Sequence, residues 1–293
     1  MGLVYFYTII NPFDSDNTSG GPQAAKNIIR HIESFGNSVE VVTPLTDFKN
    51  PNDSDFNVYQ DIFNDPIGSK WFSISEYSEL LNSSKPFAMS ECAYTACTTA
   101  PYGDEKNQTQ NIREFTRPFF VKAAKVITAS PLHGKEIAKK LGINTSNFYD
   151  YLCEVDTQLF KFEGKDRDIE NITVGAINYW KGSDTIALML KENIHFVGYG
   201  EINLILEHGS KYLGKIPHAQ MPELYNRSVH FIHVPRWKES FSITACEAAL
   251  CGCHLILNDN VGALSFNKDL TSAETYYNSG VDFRDMIEKT FVK

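Results

Sequence analysis

An α/β fold with parallel sheets is predicted by three stretches that each run strand, loop, helix, strand. The clearest is Ser228–Asn258. An apolar run rich in β-branched and aromatic residues, Val229 to Val234, stops at Pro235, and a loop carrying Glu239 follows. Small and apolar residues from Ile243 to Leu250 suit a buried helix with Glu247 inside it; Gly252 ends that helix, and Leu255 to Leu257 starts a new strand. The second stretch opens the chain. Leu3 to Ile10 is a continuous apolar run, a polar loop ends in Gly20-Gly21-Pro22, and Ala24, Ala25, Ile28, Ile29 and Ile32 recur at helical spacing. Gly36 stops the helix before Val39, Val41 and Val42. The third runs from a strand at Ile172–Ile177, through Lys181-Gly182 and a helix to about Leu190, to a strand at His195–Gly200.

Between these units the signals are shorter. Residues 44–56 are polar and Pro-rich, as in a surface loop. Val58–Phe63 and Phe87–Met89 are candidate strands, with a helix around 75–82 between them. The segment 95–110 is small and polar, as in a mobile loop. Lys125–Ser130 reads as a strand and Leu132–Leu141 as a helix, which puts His133 just past a strand's C-terminal end, where ligands gather in open sheets. Arg113, Arg117, Lys122 and Lys125 lie partly on one side of a helix and are expected to be a solvated face.

At 293 residues the chain has room for two domains, and an apolar fraction of 42% supplies their cores. The expected boundary lies near residue 160, giving domains 1–160 and 161–293, with the charged stretch 161–170 as linker. No apolar run approaches the roughly 20 residues needed to span a bilayer. The N-terminus enters LVYFYTII without a charged region before it, so no signal peptide is expected and the protein is read as cytoplasmic. The net charge is −9 and neither half is basic, which argues against a broad nucleic-acid surface. The six cysteines form no Cys-x-x-Cys pair and are expected to be reduced thiols.

The chemistry concentrates where the loop meets the helix in Ser228–Asn258. Backbone N–H groups of Ser240, Phe241 and Ser242 lie at a helix start, where they lack intrahelical partners and face the positive end of the dipole. Glu239 precedes that anion site and Glu247 lies eight residues on. A phosphate on the helix end, with hydroxyls held by carboxylates, describes a nucleotide sugar.

This stretch resembles the E-x7-E signature of retaining GT-B glycosyltransferases of the large family-4 group, with Pro235, Glu239, Phe241, Glu247, Ala248 and Gly252 in register. Ser240 and Ser242 stand where that family usually has glycines. Further segments match in order: the Gly20-Gly21-Pro22 loop, Glu154–Phe160, Lys181-Gly182, and Lys211–Ser228. Ala176 occupies a position where relatives usually carry arginine. The resemblance implies two Rossmann-like domains with parallel sheets facing across a cleft, acceptor in the first and donor in the second. It assigns ribose hydroxyls to Glu247, the diphosphate to Lys181 with the N–H groups of Gly21 and Ser242, and the sugar to Glu239 with the backbone of Ser240 and Phe241. Ile216 and Pro217 would border the base, and Gly20 and Pro22 would shape the glycine loop. Beside the resemblance, Arg236 on the adjacent loop is a candidate to supply the charge missing at 176. Glu91 and His133 are candidates for contacts to acceptor or sugar. Phe283–Phe291 would be a short version of the helix that crosses back to the first domain.

The implied reaction moves a sugar from a nucleotide-diphosphate sugar to an acceptor hydroxyl with retention of configuration, without cofactor or metal. The acceptor is open: a glycan, a small molecule or, less favoured, a nucleic-acid base. Asp14/Asp16, Asp53/Asp55 and Asp166/Asp168 are Asp-x-Asp pairs of the kind metal-dependent transferases use, but they lie in polar loops. Two rivals stand beside this reading: a nucleotide-sugar epimerase of the same architecture, and a binding protein that has lost turnover.

Overall fold

The computed structural model describes residues 2–14, 20–63, 72–94 and 110–292. Residues 95–109, most of the segment read as a mobile loop, lie outside them, as do Asp16 and Cys97. The chain divides into two units, Met1–Cys153 with Ser279–Lys293, and Glu154–Asn278.

The first unit is a six-stranded parallel sheet in the order β2-β1-β3-β4-β5-β6, built from β1 (Leu3–Thr8), β2 (Ser38–Val42), β3 (Phe56–Gln60), β4 (Phe87–Glu91), β5 (Lys125–Thr128) and β6 (Phe148–Asp150). Four helices connect them: α1 (Gly20–Ser34), α2 (Ile74–Asn82), α3 (Gln110–Lys122) and α4 (Pro131–Leu141). β3 and β4 are buried along their whole length, and β1 along all but its first residue. Both faces are covered, which is why these strands are near-continuous apolar runs rather than alternating ones. Ala25, Ile28, Ile29 and Ile32 of α1 enter a core with Val4, Phe6 and Val58. Ser73 and Glu76 close a reciprocal capping box at the start of α2. Ser130 caps α4 by accepting from the His133 N–H at 3.1 Å. The polar stretch 44–56 is less superficial than its composition suggests, because Pro51, Ser54 and Phe56 are buried.

The last helix, α9 (Ala273–Phe291), starts ten residues before the segment read from the sequence. From Ser279 onward it belongs to the first unit, where Phe283, Ile287 and Phe291 complete the core and Phe283 lies 4.2 Å from Tyr151, centroid to centroid.

The second unit is a five-stranded parallel sheet in the order β11-β10-β7-β8-β9, made of β7 (Ile169–Ile177), β8 (His195–Gly200), β9 (Lys211–Tyr212), β10 (Ser228–His233) and β11 (His254–Leu257). Its helices are α5 (Ser183–Leu190), the short α6 (Asn203–Leu206), α7 (Met221–Arg227) and α8 (Ile243–Leu250).

The division falls at 153/154 rather than near 160, and residues 161–170 are not a linker. Phe160 is 1% exposed and packs on His218 and Tyr225. Asn226 donates to the Lys161 carbonyl at 3.0 Å and accepts from the Glu163 N–H at 2.7 Å. The Arg167 guanidinium bonds the Ser228 carbonyl. Charge density in the sequence concealed a segment whose polar groups are tied to the second unit.

Strand order places the sites. In the second sheet the chain steps outward from β7 through β8 to β9, then returns on the other side with β10 and β11. The switch point therefore lies between β7 and β10, and in the first sheet between β1 and β3; ligands of open parallel sheets bind beside the carboxyl ends of such strand pairs. The five described cysteines form no disulfide, and four of them are buried. Among the described residues no helix is long and apolar enough to cross a membrane.

Candidate active site

β7 ends at Ile177 and β10 at His233, and the loops that leave them meet. Lys181 follows β7 by four residues, its N–H donating to the Asn178 side chain at 2.8 Å. Gly182 comes next with φ of 73°, and a Cβ there would sit 2.6 Å from the Val234 carbonyl oxygen. Glycine is required twice over, by backbone angle and by close approach. The loop after β10 is pinned from outside: Glu239 N–H donates to the Asn260 carbonyl at 2.7 Å, and the side chains of Asn258 and Asn260 both donate to the Pro235 carbonyl at 2.9 Å.

Glu239, 9% exposed, is gripped on both oxygens. Lys181 Nζ donates to Oε1 and His233 Nε2 to Oε2. Burial alone would raise this carboxyl, but His233 and then Lys181 outweigh it and hold Glu239 well below the usual carboxylate range. Ala176 lines one small cavity with Lys181 and His233.

α8 begins beside Glu239 and its N-terminus has no side-chain cap. Ser242, the N-cap, has φ of 85° and ψ of 78°. The glycine that the resembling sequences carry here would adopt that conformation freely; serine does so at a cost of roughly 1–2 kcal/mol. Ser242→Gly is expected to stabilise the fold by up to about 1 kcal/mol, glycine's greater freedom in the unfolded chain offsetting part of the gain. Chemical denaturation measures this, and a lower midpoint would show that the Ser242 side chain contributes more than its backbone costs. Phe241 is buried, and its carbonyl accepts from the Ala263 N–H at 2.9 Å.

Glu247 is 2% exposed in the middle of α8 and does not share Glu239's partners. His218 Nε2 lies 2.6 Å from its Oε1, and the Tyr225 hydroxyl donates to Oε2 at 3.4 Å. Burial pushes the Glu247 carboxyl up, against the pull of His218, while hydrogen bonding to Glu247 raises His218. His218 follows Ile216, half-buried, and Pro217, exposed, so the residues expected at the base adjoin in sequence the partner of the carboxylate expected at the ribose. Arg236 has its charge answered: its guanidinium bonds Asp184 at 2.5 and 2.8 Å and the Tyr179 carbonyl at 2.5 Å, and stacks 4.0 Å from the Tyr179 ring centroid.

Gly20, Gly21, Pro22, Glu91 and His133 belong to the first unit. Gly20 to Pro22 form the first turn of α1, so the expected glycine loop is here helix, with the Gly21 carbonyl accepting from the Gln60 side chain at 3.0 Å. Glu91 ends β4 and is 1% exposed. Asp61, just past β3 with φ of 48°, accepts from the Cys92 N–H at 2.9 Å; burial raises its carboxyl to about 6. Sequence reasoning missed Asp61 because the apolar run Val58–Phe63 reads as one strand, whereas β3 ends at Gln60.

His133, expected as a ligand contact, is fully buried with both ring nitrogens occupied. Nδ1 accepts from the Ala129 N–H at 3.2 Å, and Nε2 lies 2.5 Å from the Ala93 carbonyl, so the ring ties the end of β4 to the start of α4. Burial lowers it to about 4. The folded protein excludes a proton that the unfolded chain binds near 6.5, so this contribution is full above 6.5 and is lost as pH falls toward 4. Between pH 7 and 5 the wild type should lose about 2 kcal/mol more than His133→Asn, which does not titrate. Comparing the two proteins cancels the opposite trend from Asp61; equal losses would show that His133 takes up its proton while folded.

Residues 155–277 match the family model described as Glycosyl transferases group 1. No curated protein sequence matches the chain. Solved structures similar to it include sucrose-phosphate synthase from Thermosynechococcus elongatus, at TM-score 0.69 and 12% identity, covering 99% of this chain and 95% of that one. Anabaena HepE in complex with UDP and glucose aligns at TM-score 0.61 and 14% identity, covering 100% and 92%. A glycosyltransferase from Rickettsia africae aligns at 0.61 and 13%, covering 99% and 89%. With both parallel sheets and these neighbours in hand, the chain has the two-sheet α/β fold of these GT-B structures, and residues 155–277, within its second unit, are similar to the group 1 glycosyl transferase model.

Proposed function

We propose that the protein is a retaining glycosyltransferase of the family-4 type, moving a hexosyl or related group from a nucleoside-diphosphate sugar to an acceptor hydroxyl. The observation that carries this reading is the arrangement around α8: an uncapped helix N-terminus between two buried carboxylates, Glu239 and Glu247, with the Lys181 ammonium on the first. The N–H groups at the helix start and the ammonium suit a diphosphate. Glu247 suits ribose hydroxyls, and Glu239 suits hydroxyls of the sugar. Arrival of the donor requires Lys181 to exchange Glu239 for phosphate and Glu247 to exchange or share His218.

Binding and orientation do most of the work in this scheme. Preorganised positive groups stabilise charge developing on the departing diphosphate, and a phosphate oxygen can take the acceptor proton as the new glycosidic bond forms. No protein nucleophile, cofactor or metal is assigned, and the protein is taken to act in the cytoplasm. Neighbouring HepE structures contain UDP and UDP-glucose, which makes UDP the first nucleotide and UDP-glucose the first donor to try.

The test is a thermal-shift screen against nucleoside diphosphates and their sugars, with and without EDTA. Ligand at 100 times its dissociation constant stabilises by about 2.7 kcal/mol. A shift insensitive to EDTA, followed by acceptor-dependent sugar transfer with the anomeric configuration kept, supports the proposal. A changed sugar released without acceptor would favour the epimerase, and no shift with any nucleotide would sink both.

A further inference from the structure

Glu239 has two partners, and the proposed chemistry uses only Lys181. His233 is the other. It is the last residue of β10, 4% exposed, and its Nε2 donates to Glu239 Oε2 while Lys181 holds Oε1. The uncharged residues of β7 from Thr173 to Ala176, with Phe196 and Val197 of β8, line the cavity that His233 shares with Lys181. Glu239 is bonded to the imidazole, and Lys181 lines the same cavity.

The two donors differ in how firmly they can aim a carboxylate. Lys181 reaches Glu239 from a loop through a four-carbon stem, with its side chain 19% exposed. His233 sits on a central strand, its side chain 5% exposed, and its planar ring has two rotatable bonds. Burying an imidazole against a carboxylate at a strand end costs desolvation that an aliphatic side chain would avoid, so the pair has a use beyond packing. A diphosphate that draws the ammonium away would leave Glu239 loose if Lys181 were its only partner.

We propose that His233 is a positioning residue that keeps Glu239 aimed at the sugar of the donor after Lys181 has moved to the diphosphate. His233 thereby makes the site prefer a sugar-bearing donor over the bare nucleoside diphosphate. This rests on the glycosyltransferase reading. It assigns a residue outside the E-x7-E spacing, and the selectivity comes from Glu239 being held by two independent donors.

Calorimetric titration with UDP, ADP, GDP, CDP and dTDP, and with their glucose esters, tests it on the wild type, His233→Leu and His233→Gln. His233→Leu should bind the diphosphate within about threefold of wild type and its glucose ester at least tenfold more weakly. His233→Gln, whose amide can donate to Glu239 from the same strand position, should recover most of the loss. In the ligand-free protein, the His233 Nε2 proton should be protected from exchange by NMR and should lose that protection in Glu239→Gln. Wild-type selectivity in His233→Leu, or equal loss of diphosphate and glucose ester, would overturn the proposal while leaving the transferase reading intact. A wild type that binds none of these ligands would overturn the transferase reading and this proposal with it.

Discussion

Lys181→Ala should lower turnover by about 10²–10³-fold, the range seen when one preorganised group that stabilises developing charge is removed. The size follows from the standing of the two positions that could replace it. Ala176 offers no charge, and Arg236, the sequence-level candidate to replace it, is committed to Asp184 and the Tyr179 carbonyl. His233 is engaged by Glu239. The substitution also leaves Glu239 with one partner instead of two, so a lower melting temperature should accompany the kinetic loss. Lys181→Arg separates these effects, because it restores a cation to Glu239 but changes the point charge into a planar fork. It should recover stability more fully than rate. A near-normal kcat in folded Lys181→Ala would move the phosphate charge elsewhere; Arg236→Ala would then be the deciding variant, since Arg236 could serve only by leaving Asp184.

The parts of this molecule that were legible in the sequence are those in which local chemistry and global topology agree. The helix Ile243–Leu250 could be read to the residue because small apolar side chains begin after a polar loop and stop at Gly252. The parallel sheets could be read because strands covered on both faces leave continuous apolar runs. Other features were not legible because they depend on strand order. Nothing near position 233 in the sequence says that β10 lies beside β7, the adjacency that brings Lys181 to the carboxylate His233 also holds. His218 was hidden differently: it adjoins Ile216 and Pro217, but Glu247 lies 29 residues away and meets it only once α7 has been threaded between them. His133 misled in the opposite direction. A strand-end position suggests a ligand, yet the ring is spent on the Ala129 N–H and the Ala93 carbonyl. The boundary moved from 160 to 153/154 because charged residues were taken for linker, whereas Arg167 and the neighbours of Asn226 bind backbone groups.

Glu247→Ala should weaken nucleoside-diphosphate binding by tenfold or more, since a hydrogen bond to a charged group contributes about 1.5–3 kcal/mol. The structure makes this more than a contact count. The carboxylate is 2% exposed and already serves His218 and Tyr225, so the ligand must either displace His218 or add a hydroxyl to a pair that stays formed. These alternatives predict different things of His218→Ala. If ribose displaces the imidazole, removing His218 frees the carboxylate in advance and nucleotide affinity rises. If the imidazole stays and orients Glu247, affinity falls and the double variant loses little beyond Glu247→Ala alone. The pH dependence follows the same logic. His218 is raised by Glu247, so the pair is fully formed below the unfolded imidazole value near 6.5 and is lost as pH rises through the higher folded value. Displacement therefore predicts tighter nucleotide binding above that value than below it, and orientation predicts the reverse. Glu247→Gln keeps the shape of the side chain while removing its charge, and guards against reading a collapsed α8 as a lost ligand contact. Unchanged affinity in folded Glu247→Ala would take Glu247 out of the site and leave its burial beside His218 and Tyr225 as a matter of packing alone.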